Sequence, residues 1–176
     1  MTKVYNAIIG ESSAVDWYHV LCHNIARPRA KVILWLAIQN RLPTKQRLYK
    51  LGMLQQQICE LYDGEDESLD HLLFLCPQAV GIWTAMLHWM DIKDTNNLNF
   101  NWIKRKTKGK GIRMGILKVV IAEVVYSIWM YINHNIFGNM GLYSNTYSIV
   151  RNIQDVIVYR GWMKPTYREH LVNLLM

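Results

Sequence analysis

The chain has 176 residues, of which 51% are hydrophobic, and it carries a formal net charge of +7. This length suits one domain with or without a helical extension, and seven tryptophans and ten tyrosines can fill a core without a disulfide or metal. Three cysteines are too few and too odd for a secreted disulfide scaffold, and no signal peptide is recognisable, so we expect the nucleus or cytoplasm.

The charges are unevenly distributed. Residues 60–70 contain six acids and no base, whereas residues 17–59 contain seven bases and no acid. A surface with such an excess of positive charge attracts polyanions such as nucleic acid. The alternative is a basic protein that simply tolerates the excess.

Apolar residues recur with helical periodicity and no segment alternates convincingly, so the sequence predicts an all-α fold. A short helix should precede a nearly apolar one that opens with Pro28. Thr44 and Gly52 are expected to bound the next helix as N-cap and C-terminal stop. Ser68 should cap the helix that runs to Cys76.

Residues 91–111 are polar and lack apolar periodicity, so they are predicted to form a basic linker. The linker separates a helical domain over residues 1–90 from a C-terminal region over residues 112–176 that packs on it. That region should contain a long helix, a second one that Gly161 stops, and a third with Thr166 as its N-cap.

The long helix is apolar enough to raise the question of membrane insertion. Residues 114–132 could span a bilayer, with Lys118 and Glu123 as their only charged residues. Glu123 falls at the centre, where an acid costs roughly 2.5–3.5 kcal/mol on insertion scales. We therefore expect a buried central helix and no membrane insertion.

Three potential metal ligands, Cys59, His71 and Cys76, occur in "ICELYDGEDESLDHLLFLC" (58–76). Structural zinc takes four tetrahedral ligands, usually Cys and His. The position three residues after the first cysteine holds Tyr62, a poor ligand because its hydroxyl, with a pKa of about 10, is protonated at neutral pH. A carboxylate could replace it, from among Glu60, Asp63 and Asp70. The interpretation that we favour is a degenerate site without zinc, in a chain stabilised by its apolar core.

The segment "KRKTKGKGIR" (104–113) carries six positive charges and no acid just after Trp102. A basic loop beside an aromatic residue suits single-stranded nucleic acid, and the run also reads as a nuclear localisation signal. The alternative is a solvated linker whose charge keeps it soluble. The predicted nucleic-acid contacts are Lys104, Arg105, Lys106, Lys108, Lys110 and Arg113.

Several weak motifs follow one another in a specific order. "ARPRAKVILWLA" (26–37) is followed by "RLPTKQRLYKLG" (41–52), by the cysteine–histidine stretch and by "CPQAVGIW" (76–83). This succession resembles the zinc-binding domain that follows the reverse transcriptase in plant LINE-type (non-LTR) retrotransposons. Downstream, "YSIWMYINHNIF" (126–137) resembles a segment often found after that domain.

The resemblance implies four ligand positions, which fall on Cys59, Tyr62, His71 and Cys76. It implies a non-enzymatic module that helps a reverse transcriptase hold nucleic acid. No Tyr-x-Asp-Asp polymerase motif occurs, so the chain is a fragment or a free-standing descendant. The rival hypothesis is a protein–protein interaction module, taken over by the host, that has lost nucleic-acid and zinc binding.

Overall fold

The computed structural model describes residues 15–22, 24–62, 64–137 and 145–175, and within them every regular element is a helix. One isolated antiparallel β-bridge joins Ile58 and Asp66. The helices are α1 Tyr18–Leu21, α2 Pro28–Ile38, α3 Lys45–Lys50, a π-helical turn His71–Leu75, α4 Pro77–Trp89, α5 Phe100–Lys106, α6 Ile112–Phe137, α7 Thr146–Trp162 and α8 Pro165–Leu175. The all-α prediction is confirmed.

Helix α6 is the central element. Helix α2 packs against it most extensively, and α4, α7 and α8 also contact it. All residues from Val119 to Val125 are fully buried, which requires a helix that is apolar on every side. Among the described residues, Ile112–Ile136 is the one helical stretch long and apolar enough to cross a membrane, and 72% of its most apolar window is buried inside the protein. The burial agrees with the expected central helix.

The acid at the centre of α6 has a partner. The Glu123 carboxylate is fully buried and forms an ion pair with the Arg27 guanidinium at 2.6 Å. The backbone N–H of Arg27 donates to the other carboxylate oxygen of Glu123 at 2.9 Å. The guanidinium also lies over the Tyr126 ring, 4.7 Å from its centroid. These contacts fasten the residue before α2 to the middle of α6.

The segment predicted to be a linker contains a helix. Helix α5 begins after Asn99, whose side-chain oxygen accepts a hydrogen bond from the backbone N–H of Trp102 at 2.9 Å. Trp102 and Ile103 are buried in the core, as is Thr107 just after the helix. The prediction missed this helix because its few apolar residues lie within a polar, basic segment that shows no clear periodicity. The division into parts at residues 91–111 stays a prediction.

Two predicted helix ends in the C-terminal region are wrong. Gly161 lies within α7 and is buried. Leu171 of α8 packs so closely against it that a Cβ at this position would collide with the leucine side chain. The glycine therefore permits close packing of two helices and does not end one. Thr166 lies inside α8, which begins at Pro165, so it is not an N-cap.

Candidate metal centre and basic segment

The stretch between the two cysteines of the predicted knuckle folds back on itself. The backbone N–H of Cys59 donates to the carbonyl oxygen of Glu65 at 2.9 Å. The Ser68 hydroxyl accepts from the backbone N–H of His71 at 3.0 Å, which is the role predicted for it. The chain then enters the π-helical turn, which ends just before Cys76.

This fold brings together the three metal-ligand candidates from the sequence. The Cys59 and Cys76 sulfurs and a ring nitrogen of His71 lie within 4.8 Å of one another, and all three residues are buried. Tetrahedral zinc has sulfur ligands at about 2.3 Å and nitrogen ligands at about 2.0 Å, so its ligand atoms stand roughly 3.5 Å apart. A small inward movement of the side chains would reach that spacing.

The hydrogen bonds of His71 fit a metal ligand. Its Nδ1 lies 3.1 Å from a carboxylate oxygen of Glu65. Its Nε2 is buried and has no hydrogen-bond partner among the described residues. A metal-binding histidine commonly uses one ring nitrogen for the metal and donates with the other to a carboxylate. Nothing within the acidic run marks Glu65 in the sequence, so its role was not predicted.

The two thiols interact with each other and with backbone amides. A hydrogen bond from the Cys59 thiol lowers the pKa of Cys76 to about 6, and the same contact raises the pKa of Cys59. Backbone N–H groups of Gln78 and Ala79, in the first turn of α4, also lower the pKa of Cys76. Two sulfurs and one imidazole are donors that suit zinc, so the residues present fit three of its four positions.

Position 62, where the resemblance implies a fourth ligand, is more exposed than the three buried candidate ligands. The Tyr62 side chain is 47% exposed, and its ring stacks on the His71 ring with centroids 6.5 Å apart. Among the carboxylates considered as substitutes, Glu60 pairs with Lys45 and Asp70 is exposed, and neither belongs to the cluster. Asp63 lies outside the described residues.

Three of the six predicted nucleic-acid contacts are engaged within the protein. Lys104 pairs with Asp16 at 2.8 Å, and Lys106 pairs with Asp94 at 2.7 Å. Arg113 donates to the backbone carbonyl that follows α4, at 2.8 Å. These partners are far along the chain or in a loop, so the sequence did not show that the cations were engaged.

The other three cations, Arg105, Lys108 and Lys110, are exposed and have no ion pair within the described residues. Trp102, the aromatic residue expected beside them, is only 1% exposed. It cannot stack on a base without unfolding α5. The structure therefore corrects one part of the prediction, since the segment offers exposed charge but no aromatic platform at Trp102.

The comparisons with known proteins agree with the resemblance. Residues 1–83, slightly less than half of the chain, match the family described as "zinc-binding in reverse transcriptase". A protein of Arabidopsis thaliana named "Putative ribonuclease H protein" is 24% identical over 154 residues, 84% of this chain. The chain covers 23% of that protein's length. No solved structure matches significantly. The two similarities indicate a retroelement origin.

Proposed function

We propose that this chain is a non-enzymatic, retroelement-derived domain with generic affinity for single-stranded nucleic acid. The proposal rests chiefly on the exposed cation triplet Arg105, Lys108 and Lys110, which borders α5 in a chain of net charge +7. The family match supports it, because zinc-binding domains of reverse transcriptases belong to machinery that handles nucleic acid. The proposed location is the nucleus or cytoplasm.

The triplet would act by neutralising phosphates. Each phosphate contact on a single strand releases counterions and contributes about −0.7 to the slope of log affinity against log salt. Three exposed cations predict a slope contribution of roughly −2, and all six predicted contacts would give roughly −4. The engaged cations Lys104, Lys106 and Arg113 contribute only if nucleic acid displaces their present partners. Base sequence should matter little, because phosphates carry no sequence information.

The salt dependence of binding to oligo(dT) tests this proposal. We expect the triple variant Arg105→Gln, Lys108→Gln, Lys110→Gln to flatten the slope by about 2 relative to the unchanged protein. A matched control removes three exposed cations elsewhere, with Arg29→Gln, Arg41→Gln and Lys50→Gln. The control has the same net charge and should change the slope less. Equal effects of the two triple variants, or no effect of either, would contradict the assignment.

We propose no catalytic residue. The matched family is described by zinc binding, and the name of the Arabidopsis relative belongs to a protein of whose length this chain covers 23%. We also propose that zinc is dispensable for folding, so the purified chain should carry well under one zinc ion. Its buried aliphatic and aromatic side chains form a continuous core that supports this view.

A host protein partner is the second candidate. Tyr147, Tyr159 and Trp162, all in α7, are 76%, 70% and 49% exposed. Aromatic residues are enriched in protein interfaces, so these exposed aromatic side chains favour this alternative. Retention on heparin at two salt concentrations distinguishes the candidates, because an interaction module that has lost nucleic-acid binding should elute early at both.

A further inference from the structure

We infer that Cys59, His71 and Cys76 form a three-ligand zinc centre whose fourth coordination position is open to a ligand from outside the chain. The external ligand would be a borderline or soft donor, an imidazole nitrogen or a thiolate. A closed site with four protein ligands holds zinc structurally, whereas a site with three keeps one position exchangeable. This chain would thus have an exchangeable, three-ligand zinc site in place of a closed site with four protein ligands.

The three ligands are already arranged for a metal. The sulfurs and the histidine nitrogen lie within 4.8 Å of one another. The free nitrogen is Nε2 of His71, which is buried without a hydrogen-bond partner in the described part of the chain. An unpartnered buried nitrogen destabilises a fold, and a bound metal would give it a partner.

The missing ligand would approach from the surface. The resemblance implies a fourth ligand at position 62, three residues after Cys59. Tyr62 is 47% exposed here, so the turn that carries the missing ligand lies at the surface. The ring of Tyr62 packs closely over Gly64, where an added Cβ would lie 2.6 Å from it, and stacks on His71. These contacts hold the ring in a packing role, and its protonated hydroxyl is a poor zinc ligand.

His71 has a carboxylate partner that supports a role as a metal ligand. The Glu65 carboxylate is hydrogen-bonded to Nδ1 of His71. When Nδ1 carries the proton, Nε2 keeps a free lone pair with which it can bind a metal. Loss of such a partner commonly lowers metal affinity by 10–100-fold. Three protein ligands bind zinc less tightly than four, so the ion would be lost during purification and would return when metal is supplied.

Cobalt(II) is a suitable probe, because it replaces zinc and its absorption spectrum reports both thiolate ligation and coordination geometry. The reduced, metal-free full chain is titrated with cobalt(II) under anaerobic conditions, and imidazole is then added. We expect one cobalt per chain with a sulfur-to-metal charge-transfer band. Imidazole should shift the visible bands of the unchanged protein and of Tyr62→Phe, but not those of Tyr62→Cys, in which the fourth position is closed.

Two further variants distinguish the ligands from their surroundings. Glu65→Gln should weaken cobalt binding by 10–100-fold. Asp70→Asn, a matched removal of an exposed carboxylate beside His71, should leave it unchanged. The inference fails if cobalt does not bind with a thiolate band, or if imidazole leaves the spectrum of the unchanged protein as it was. It also fails if Tyr62→Phe or Asp70→Asn abolishes binding, because either result would identify a fourth ligand within the chain. Oligo(dT) binding is measured separately, so neither proposal depends on the other.

Discussion

Tyr62 stands where the resemblance to reverse-transcriptase zinc-binding domains implies a fourth zinc ligand. Tyr62→Cys should supply a fourth ligand, because a backbone hydrogen bond joins Cys59 to Glu65 and the Cys59 sulfur lies close to His71 and Cys76. A complete structural zinc site contributes an apparent ~10–16 kcal/mol in small zinc-finger peptides. We expect this variant to bind zinc tightly and to melt at a higher temperature with zinc than without.

The control for that variant is Tyr62→Phe, which keeps the ring stacked on His71 and adds no ligand. Thermal melts with and without zinc compare the two variants directly. If zinc raises the melting temperature of both by the same amount, then position 62 is not where the missing ligand belongs.

The ion pair between the partly exposed Arg27 and the fully buried Glu123 gives a second prediction at the residue scale. Removal of one partner leaves an uncompensated charge, which typically costs about 3–5 kcal/mol. Arg27→Met should therefore lower the free energy of unfolding by that amount, and a second change, Glu123→Gln, should recover part of the loss. Urea unfolding measures both, with the exposed Arg29→Met as the control. Equal stabilities of Arg27→Met and Arg29→Met would show that the pair does not form.

The candidate ligands could be predicted from the sequence because they lie close together along the chain. Cys59, His71 and Cys76 occur within one short stretch whose ends meet locally. The contacts of the basic segment could not be predicted from the sequence, because the acid that pairs with Lys104 lies 88 residues away. Pairings across such separations depend on the packing of helices, which single-sequence patterns do not encode.

At the scale of elements, the packing of α5 decides whether residues 91–111 are part of the folded core or a free linker. Ile103 is fully buried, so Ile103→Ala should lower the free energy of unfolding by about 2–5 kcal/mol. Val32→Ala on the exposed side of α2 is the control and should change it by less than about 0.5 kcal/mol. Urea unfolding curves measure both. A neutral Ile103→Ala would mean that α5 does not pack on the core.

Helices with marked starts were predictable, and a helix within a polar segment or an end obscured by close packing was not. Pro28, Thr44 and Pro77 each mark a helix start that the structure contains, and Thr44 accepts the expected hydrogen bond. Gly161 misled the prediction, since a glycine needed for close helix packing has the same sequence appearance as one that ends a helix. The difference lies in its neighbour Leu171, which only the tertiary structure supplies.

At the scale of the whole molecule, the central question is what stabilises the fold when the cluster of described residues offers only three candidate zinc ligands. Net stabilities of domains are about 5–15 kcal/mol, no larger than the contribution of a complete structural zinc. A chain that depended on the metal could not lose a ligand and remain folded. Here α6 and the helices packed around it bury a continuous set of aliphatic and aromatic side chains. We therefore assign stability to that core.

The most direct test is the melting temperature of the purified full chain before and after treatment with a strong zinc chelator, with zinc measured by elemental analysis. The account predicts well under one zinc per chain and an unchanged melting temperature. For a chain of this length, each kcal/mol lost at the midpoint lowers the melting temperature by roughly 2–4 °C. One zinc per chain, together with a fall of ten degrees or more on chelation, would show that the metal and not the core holds the fold.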